Sequence, residues 1–458
     1  MKILILGAGQ VGSSVAANLA SEQNEITLVD AREGLLQELR DRLDIQTITG
    51  HASHPGVLEK AGIEDTDMLI AVTNSDETNM TACQVAWTLH HTPTKIARIR
   101  SSQYLRHPEL FVGGAIPVDV LISPEEIVTN YISNIIGYPG ALQVLDFAGG
   151  KAMLVGIRAY YGGPMVGHQL KEIREHVPNV ETRVAAIYRR GRAIIPMGNT
   201  VVEADDEVFF IAARQHIRTV MKELRREDKR NKRLMIAGGG NIGKRLAERM
   251  ESEHQVKIIE TDSDRARYLS RELNSSVVLL GDSANEEMLM EENIDSMDVF
   301  VAVTNDDEAN ILSAMLAKRM GCRKVMSIIN RPAYVDLIES QNTIDVAISP
   351  ETVTIGALLT HVRRGDIVAV HSLRRGAAEA IEAIAHGDET TSKVVGKKVE
   401  EIELPEGASI GAIVRGKDVI IAHHDTVIES EDHVIIFLID KRNIPIVERM
   451  FQVGITFI

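Results

Sequence analysis

The sequence predicts an α/β protein: two tandem Rossmann-like, doubly wound parallel-sheet domains, each followed by a small α+β module. Three observations predict it. The stretch "AVTNSDETNM" at 71–80 recurs as "AVTNDDEANI" at 302–311, with seven of ten positions identical. A glycine loop, "GAGQVG" at 7–12, follows an apolar run and recurs as "GGGNIG" at 238–243. Short apolar runs alternate with segments of helical spacing, the pattern of βαβ units in a sheet covered on both faces.

Further landmarks keep the same order in both halves. "ITGHAS" (48–53) matches "LLGDSA" (279–284), and "LISPEE" (121–126) matches "AISPET" (347–352). A period of roughly 230 residues is far longer than a solenoid repeat, so the chain is a duplication of whole domains. The seam is charge-rich, residues 222–233, and reads as a helix end and a linker.

In the first half the strands are predicted at "KILILG", "EITLVD", "IQTITG", "DMLIAVT" and "KIARIR". Helices are predicted at "GSSVAANLASE", "GLLQELRDRL", "HPGVLEKAGI", "ETNMTACQVAWTLHH" and "SPEEIVTNYISNII", the last opened by Ser123 and Pro124. From about residue 140 the texture changes to short strands between Gly, Pro and charged turns: "ALQVLDF", "AMLVGIRAY", "RVAAIYRRGRAIIPMG" and "DEVFFIAA". The second half repeats it with "DIVAVHSLRRG", "AEAIEAIAHG", "SIGAIVRGKDVIIAHHD" and "DHVIIFLID". The predicted boundaries are 1–136, 140–227, 232–362 and 367–453.

Composition excludes several classes. Formal net charge is −15 and pI about 5.5, which argues against a nucleic-acid partner held by bulk charge. Two distant cysteines, Cys83 and Cys322, each expected in a helix-like stretch and buried, make neither a disulfide framework nor a zinc ribbon. The N-terminus reads as a mature strand and not a signal peptide, and no apolar window reaches the ~18 residues of a membrane span. The expected location is cytoplasmic.

The glycine loops carry the chemistry. In the first, Gly7 allows the tight turn, Gly9 lets a backbone approach a pyrophosphate, and Gly12 lets helix and strand pack closely. The helix start then offers free N–H donors and a positive dipole end. Asp30, ending the next strand, stands where it accepts hydrogen bonds from a ribose diol and repels a 2′-phosphate. Arg32 is the one dissenting residue nearby. Gly238, Gly240, Gly243 and Glu260 repeat the fingerprint. Thr73 and Asn74, with Thr304 and Asn305, end the fourth strands on the side expected to face an adenine or ribose. Asp76, Glu77, Asp306, Asp307 and Glu308 start the following helices and are expected to cap them. His51 and Asp282 follow the third strands at matched positions and are expected to face the clefts. Arg98 and Arg100 lie at the fifth strand. Their counterparts in "KVMSII" are apolar or small, so the first pocket looks better suited to an anion.

No catalytic constellation or metal site stands out. His168, His176, His423 and His424 lie in polar turn contexts, and no Ser-His-Asp, HExxH or Walker lysine pattern is present. A pocket without chemistry suits a sensor, not an enzyme. The rival readings are an NAD-dependent oxidoreductase and a soluble redox or energy sensor.

The chain resembles the TrkA family of Trk potassium-uptake regulatory subunits over essentially its full length. The resemblance rests on "GAGQVG…LVD", "AVTNSDETNM", "GGGNIG…IIE", "AVTNDDEANI", "SAMLAKRMG", "AISP", "HSLRRGAAEAIEAIAHGDETTS" and "AIVRGKDVIIA". It implies two tandem RCK (regulator of potassium conductance) units on a cytoplasmic protein peripheral to the inner face of the cell membrane. It implies binding of NAD(H) and ATP/ADP and gating of an integral membrane potassium channel or transporter subunit of the Trk type. It implies rings of eight RCK units, hence a homotetramer, with the two "SPE" helices as pairing elements. Carried-over contacts are Gly7, Ala8, Gly9, Gln10, Val11, Asp30, Thr73, Asn74 and Arg98. In the second half they are Gly238, Gly239, Gly240, Asn241, Ile242, Glu260, Thr304 and Asn305. The family's Gly-Asp turn before the last strand of each small module reads Asp205-Asp206 and Glu431-Asp432. The missing glycine predicts a different turn, a doubtful small-ligand site there, and a solvated acidic edge.

Overall fold

The computed structural model describes residues 1–20, 24–112, 114–194, 196–225, 231–341, 343–362, 367–373 and 378–452. Part of the seam, the predicted boundary positions 227 and 453, and the "RRGA" of the C-terminal motif lie outside the described residues.

The first half opens with six parallel strands: β1 (Lys2–Leu6), β2 (Glu25–Asp30), β3 (Gln46–Thr49), β4 (Met68–Ala71), β5 (Thr94–Arg98) and β6 (Val120–Ile122). Their order is β3-β2-β1-β4-β5-β6, so the winding reverses between β1 and β4. Ile3, Leu4, Ile5 and Leu6 are all buried, as a strand covered on both faces requires. The sequence reading found five of these strands and missed β6. Three residues after Pro117 are too few to show a period.

Five antiparallel strands follow: β7 (Ala141–Phe147), β8 (Ala152–Arg158), β9 (Thr182–Arg189), β10 (Arg192–Ile194) and β11 (Glu207–Ala213), in the order β10-β9-β11-β8-β7. Helix Ile217–Leu224 closes this module with Ile217, Val220, Met221 and Leu224 buried. The second half repeats both sheets. Strands β12 (Arg233–Ala237), β13 (Gln255–Glu260), β14 (Val277–Leu280), β15 (Val299–Ala302), β16 (Lys324–Ile328) and β17 (Val346–Ile348) take the order β14-β13-β12-β15-β16-β17. Strands β18 (Ile367–Leu373), β19 (Ala378–Ala385), β20 (Ala408–Arg415), β21 (Asp418–Ile421) and β22 (Asp432–Leu438) form the second antiparallel sheet.

The chain divides into two compact units, and the division does not follow the duplication. The first unit is Met1–Ile127 together with Glu351–His361, most of helix Pro350–Val362 from the second half. In this unit the hydroxyl of Ser14, on helix Gln10–Ala20, donates to the Glu351 carboxylate. The helix buries Ile355, Leu358 and Leu359. The remaining described residues form the second unit. There the two small modules share one core: Leu145, Phe147, Ala186, Phe209 and Ile211 cluster with Leu373, Ala380, Ala412, Ile435 and Phe437. The buried Glu382 carboxylate accepts from the Ala148 amide across that core at 2.9 Å, and from His433.

Two turns correct the sequence reading. Asp205 and Glu431 take φ of 68° and 67°, the left-handed conformation that glycine favours. The turn is therefore kept without glycine, held by the buried acid one residue on. Asp206 is fully buried and accepts both Nε and Nη2 of Arg189 at 2.8 Å, plus the Glu203 amide. Asp432 does the same with Arg415 and Glu429. Asp205 and Glu431, the extra acids in the glycine's place, are exposed as a solvated edge requires, whereas the acids one residue on are interior. Cys83 sits in helix Asp76–His90, whereas Cys322 lies in the turn before β16 and not in a helix; both are buried.

Glu251, just past helix Asn241–Met250, accepts hydrogen bonds from the amides of Asn274, Ser275 and Ser276 and from the Asn274 and Ser276 side chains. Burial raises its carboxyl, but these donors outweigh that and hold it down, at about 2. A folded value below the unfolded one means this clasp contributes fully above about pH 4.5 and is lost as pH falls toward 2. Glu251→Gln is expected to flatten that acid limb in urea unfolding followed against pH. An acid limb as steep as the parent's would refute the assignment.

Candidate nucleotide-binding sites

Each glycine loop joins the first strand of a parallel sheet to the helix behind it, at the reversal of strand order where ligands of this fold class sit. Gly7 has φ of 105° and Gly238 φ of 108°, closing the tight turn. A Cβ on Gly12 would stand 1.8 Å from the Gly7 carbonyl oxygen, and one on Gly243 1.9 Å from that of Gly238. Helix and strand touch there through bare backbone. A Cβ on Gly9 or Gly240 would meet nothing within 4 Å, so the space in front of both is open. Gln10, Val11, Asn241 and Ile242 then begin the helices.

The acids grip these loops. Oδ2 of Asp30 accepts from the Ala8 amide at 2.7 Å, and Oδ1 accepts from the Arg32 amide and Nε. Burial raises the Asp30 carboxyl, yet the Ala8 and Arg32 donors prevail and hold it below the ordinary carboxylate value. Arg32 thus belongs to Asp30 and does not compete with it. Glu260 accepts from the Gly239 amide at 2.9 Å and from the Asp262 amide at 2.9 Å.

The repeated "VTN" loops are built around an asparagine that the sequence reading passed over. Asn79 is fully buried; its Oδ1 accepts from the amide and hydroxyl of Thr73, and its Nδ2 donates to the Arg98 carbonyl. Asn310 binds Thr304 and the Ile328 carbonyl in the same way. The hydroxyls of Thr73 and Thr304 are therefore committed inside the protein, while Asn74 and Asn305 sit beside them in the turn, Asn74 exposed. The signal was available: both quoted loops place Asn six positions after Thr.

Capping is corrected in part. Ser75 and Asp306 are the N-caps, accepting from Thr78 and Ala309. Asp76 and Asp307 are buried instead. They accept from the Arg100 and Ser101 amides and from the Asn330 and Arg331 amides, pinning the exits of β5 and β16.

The cations differ between the halves. Arg98 is half-buried, and its Nε has no hydrogen-bond partner among the described residues. Burial pushes its guanidinium down, while Glu125 opposes that shift. Ile328 holds the matching place. Yet the second pocket is not without a cation. Arg265, at the start of helix Ser263–Glu272, donates from Nε to the Gly239 carbonyl at 2.7 Å. It lies on the helix after β13, away from "KVMSII", the segment that matches Arg98 and Arg100. His51 is exposed, bonded to the Ser53 hydroxyl and stacked on His54. Asp282 accepts from its own turn at Ala284. Neither makes a hydrogen bond to the described residues of its glycine loop.

Among the described residues no group of three or more His, Cys, Asp or Glu is placed to hold a metal ion, and no helix is long and apolar enough to cross a membrane.

Comparison with known proteins agrees with this duplication. The TrkA-N domain matches residues 3–124 and 234–350, and the TrkA-C domain matches 154–225 and 389–442. The Trk system potassium uptake protein TrkA of Halomonas elongata is 62% identical over 457 residues, covering 100% of both chains. That of Vibrio alginolyticus is 61% identical over 453 residues, 99% of each chain. Among solved structures, the GsuK RCK domain aligns at TM-score 0.60 with 18% identity over 98% of this chain and 94% of that one. The GsuK channel bound to NAD aligns at TM-score 0.60, also at 18% identity, over 98% and 78%. At such identity these two likenesses speak for the fold alone. With both halves matched and full-length relatives above 60% identity, the chain belongs to the TrkA family.

Proposed function

We propose that the chain is the nucleotide-binding regulatory subunit of a Trk potassium-uptake system, gating its membrane potassium-translocating subunit in response to NAD(H) and ATP/ADP. The observation that carries this reading is the pair of glycine loops, each gripped through a backbone amide by the acid ending the next strand. In it the chain works as a homotetramer at the inner membrane face. It is divided into nucleotide-binding domains 1–136 and 232–362 and small modules 140–227 and 367–453. The ligand contacts are Gly7–Gly12, Asp30, Thr73, Asn74 and Arg98, and Gly238–Gly243, Glu260, Thr304 and Asn305. His51 and Asp282 line the outer rims.

Gating needs a ligand that binds two arrangements with different affinity. The Ser14–Glu351 contact supports a route: the helix that starts at the first glycine loop is bonded to a helix of the second half. A ligand that shifts the first helix would move the second.

Calorimetric titration with NADH, NAD, ATP and ADP, with NADH absorbance followed for turnover, tests the reading. One or two sites per chain without turnover is the expected result; steady NADH consumption would favour an oxidoreductase instead. Asp30→Ala is expected to weaken NAD-type binding in the first pocket by roughly 1–3 kcal/mol, through unpaired ribose hydroxyls and a released Ala8 amide. Unchanged affinity would remove Asp30 from the site.

A further inference from the structure

We propose that Arg265 reads phosphate charge in the second pocket, so that this pocket separates nucleotides from nucleosides through one guanidinium that the first half lacks. This rests on the nucleotide reading above. Gly239 is clasped from both ends: its N–H by Glu260 at 2.9 Å and its carbonyl by Arg265 Nε at 2.7 Å. The guanidinium carbon lies over the Tyr268 ring, 5.0 Å from its centroid. Its two terminal nitrogens make no hydrogen bond to any described residue. No ion pair joins it to Glu260, whose carboxylate accepts from Gly239, Asp262 and Thr261. Lys244, on the helix that follows the loop, is committed to Glu248 at 2.5 Å and lies 3.6 Å from Glu272.

Arg265 therefore brings its guanidinium to the Gly239 carbonyl, two residues before helix Asn241–Met250 begins, and at the next residue, Gly240, a Cβ would meet nothing within 4 Å. A planar guanidinium with two free N–H groups binds a phosphate in bidentate fashion. In the first half Leu35 occupies the matching helix position, and Ala8 replaces Gly239. A Cβ at Gly239 would stand 2.3 Å from Leu269 and 2.8 Å from Glu260 Oε2, so the second loop is the more tightly enclosed.

The test is calorimetric titration of the full chain with ADP and with adenosine, the second site being the component lost in Glu260→Ala. Arg265→Leu is expected to lower second-site ADP affinity about 10- to 100-fold and leave adenosine within twofold. Arg265→Lys is expected to recover part of the loss. Equal weakening of ADP and adenosine would overturn the proposal, leaving Arg265 a brace for Gly239; so would an unchanged ADP affinity. Wild-type binding with no component lost in Glu260→Ala would instead defeat the nucleotide reading of this pocket, and the proposal with it.

Discussion

Gly12→Ala is expected to abolish nucleotide binding in the first pocket and to destabilise the first unit. The new methyl would lie 1.8 Å from the Gly7 carbonyl oxygen and 3.0 Å from its carbon, and both are backbone atoms with no rotamer to escape into. The loop must open, and overpacking of this kind costs about 1–3 kcal/mol or more. Opening it also separates Ala8 from Asp30, because the two share one hydrogen bond. Gly9→Ala is the control. Its methyl would meet nothing within 4 Å, so stability should stay at wild type while a closely approaching phosphate would be hindered. Urea unfolding and titration of both variants give a two-by-two result. Gly12→Ala with wild-type stability would mean that helix and strand do not pack as described.

Asp432→Ala is expected to be the most destabilising single change in the C-terminal module, by about 3–5 kcal/mol. The carboxylate is fully buried and accepts two bonds from Arg415 at 2.8 Å and one from the Glu429 amide at 2.8 Å. Its hydrogen bonds to Arg415 raise the guanidinium above its ordinary value. Removing the acid strands that amide and frees Glu431 from its left-handed turn. The Arg415 side chain is 33% exposed, which lets water recover some of the loss. Chemical denaturation of Asp432→Ala, Arg415→Ala and the double variant measures the coupling. Additive effects would show that the pair is not the anchor of the turn.

The fold class was legible because buried parallel strands write continuous apolar runs, and because the duplication wrote every landmark twice. What the sequence hid is side-chain traffic between elements. Asn79 reads as one polar residue in a helix, and only the fold brings it against the exit of β5. Asp76 and Asp307 carry the sequence signature of caps, yet the neighbouring strand exit claims them first. The acid turns misled in another way. Glycine is the local solution for a positive φ, but a buried Asp-Arg pair one residue on imposes the same conformation from outside. Arg265 escaped because its partner is a backbone carbonyl, and no residue pattern records one.

The placement of Glu351–His361 within the first compact unit has a consequence in time. A ribosome adds ~5–20 residues each second, and roughly 230 residues separate β6 from that helix, so on the order of ten to fifty seconds pass between them. Through that interval the nascent first sheet lacks the helix that buries Ile355, Leu358 and Leu359, and Ser14 waits for Glu351. The older half of the polypeptide is thus finished by its own later copy. A stalled or truncated translation product would emerge with its glycine loop made and the structure behind it incomplete.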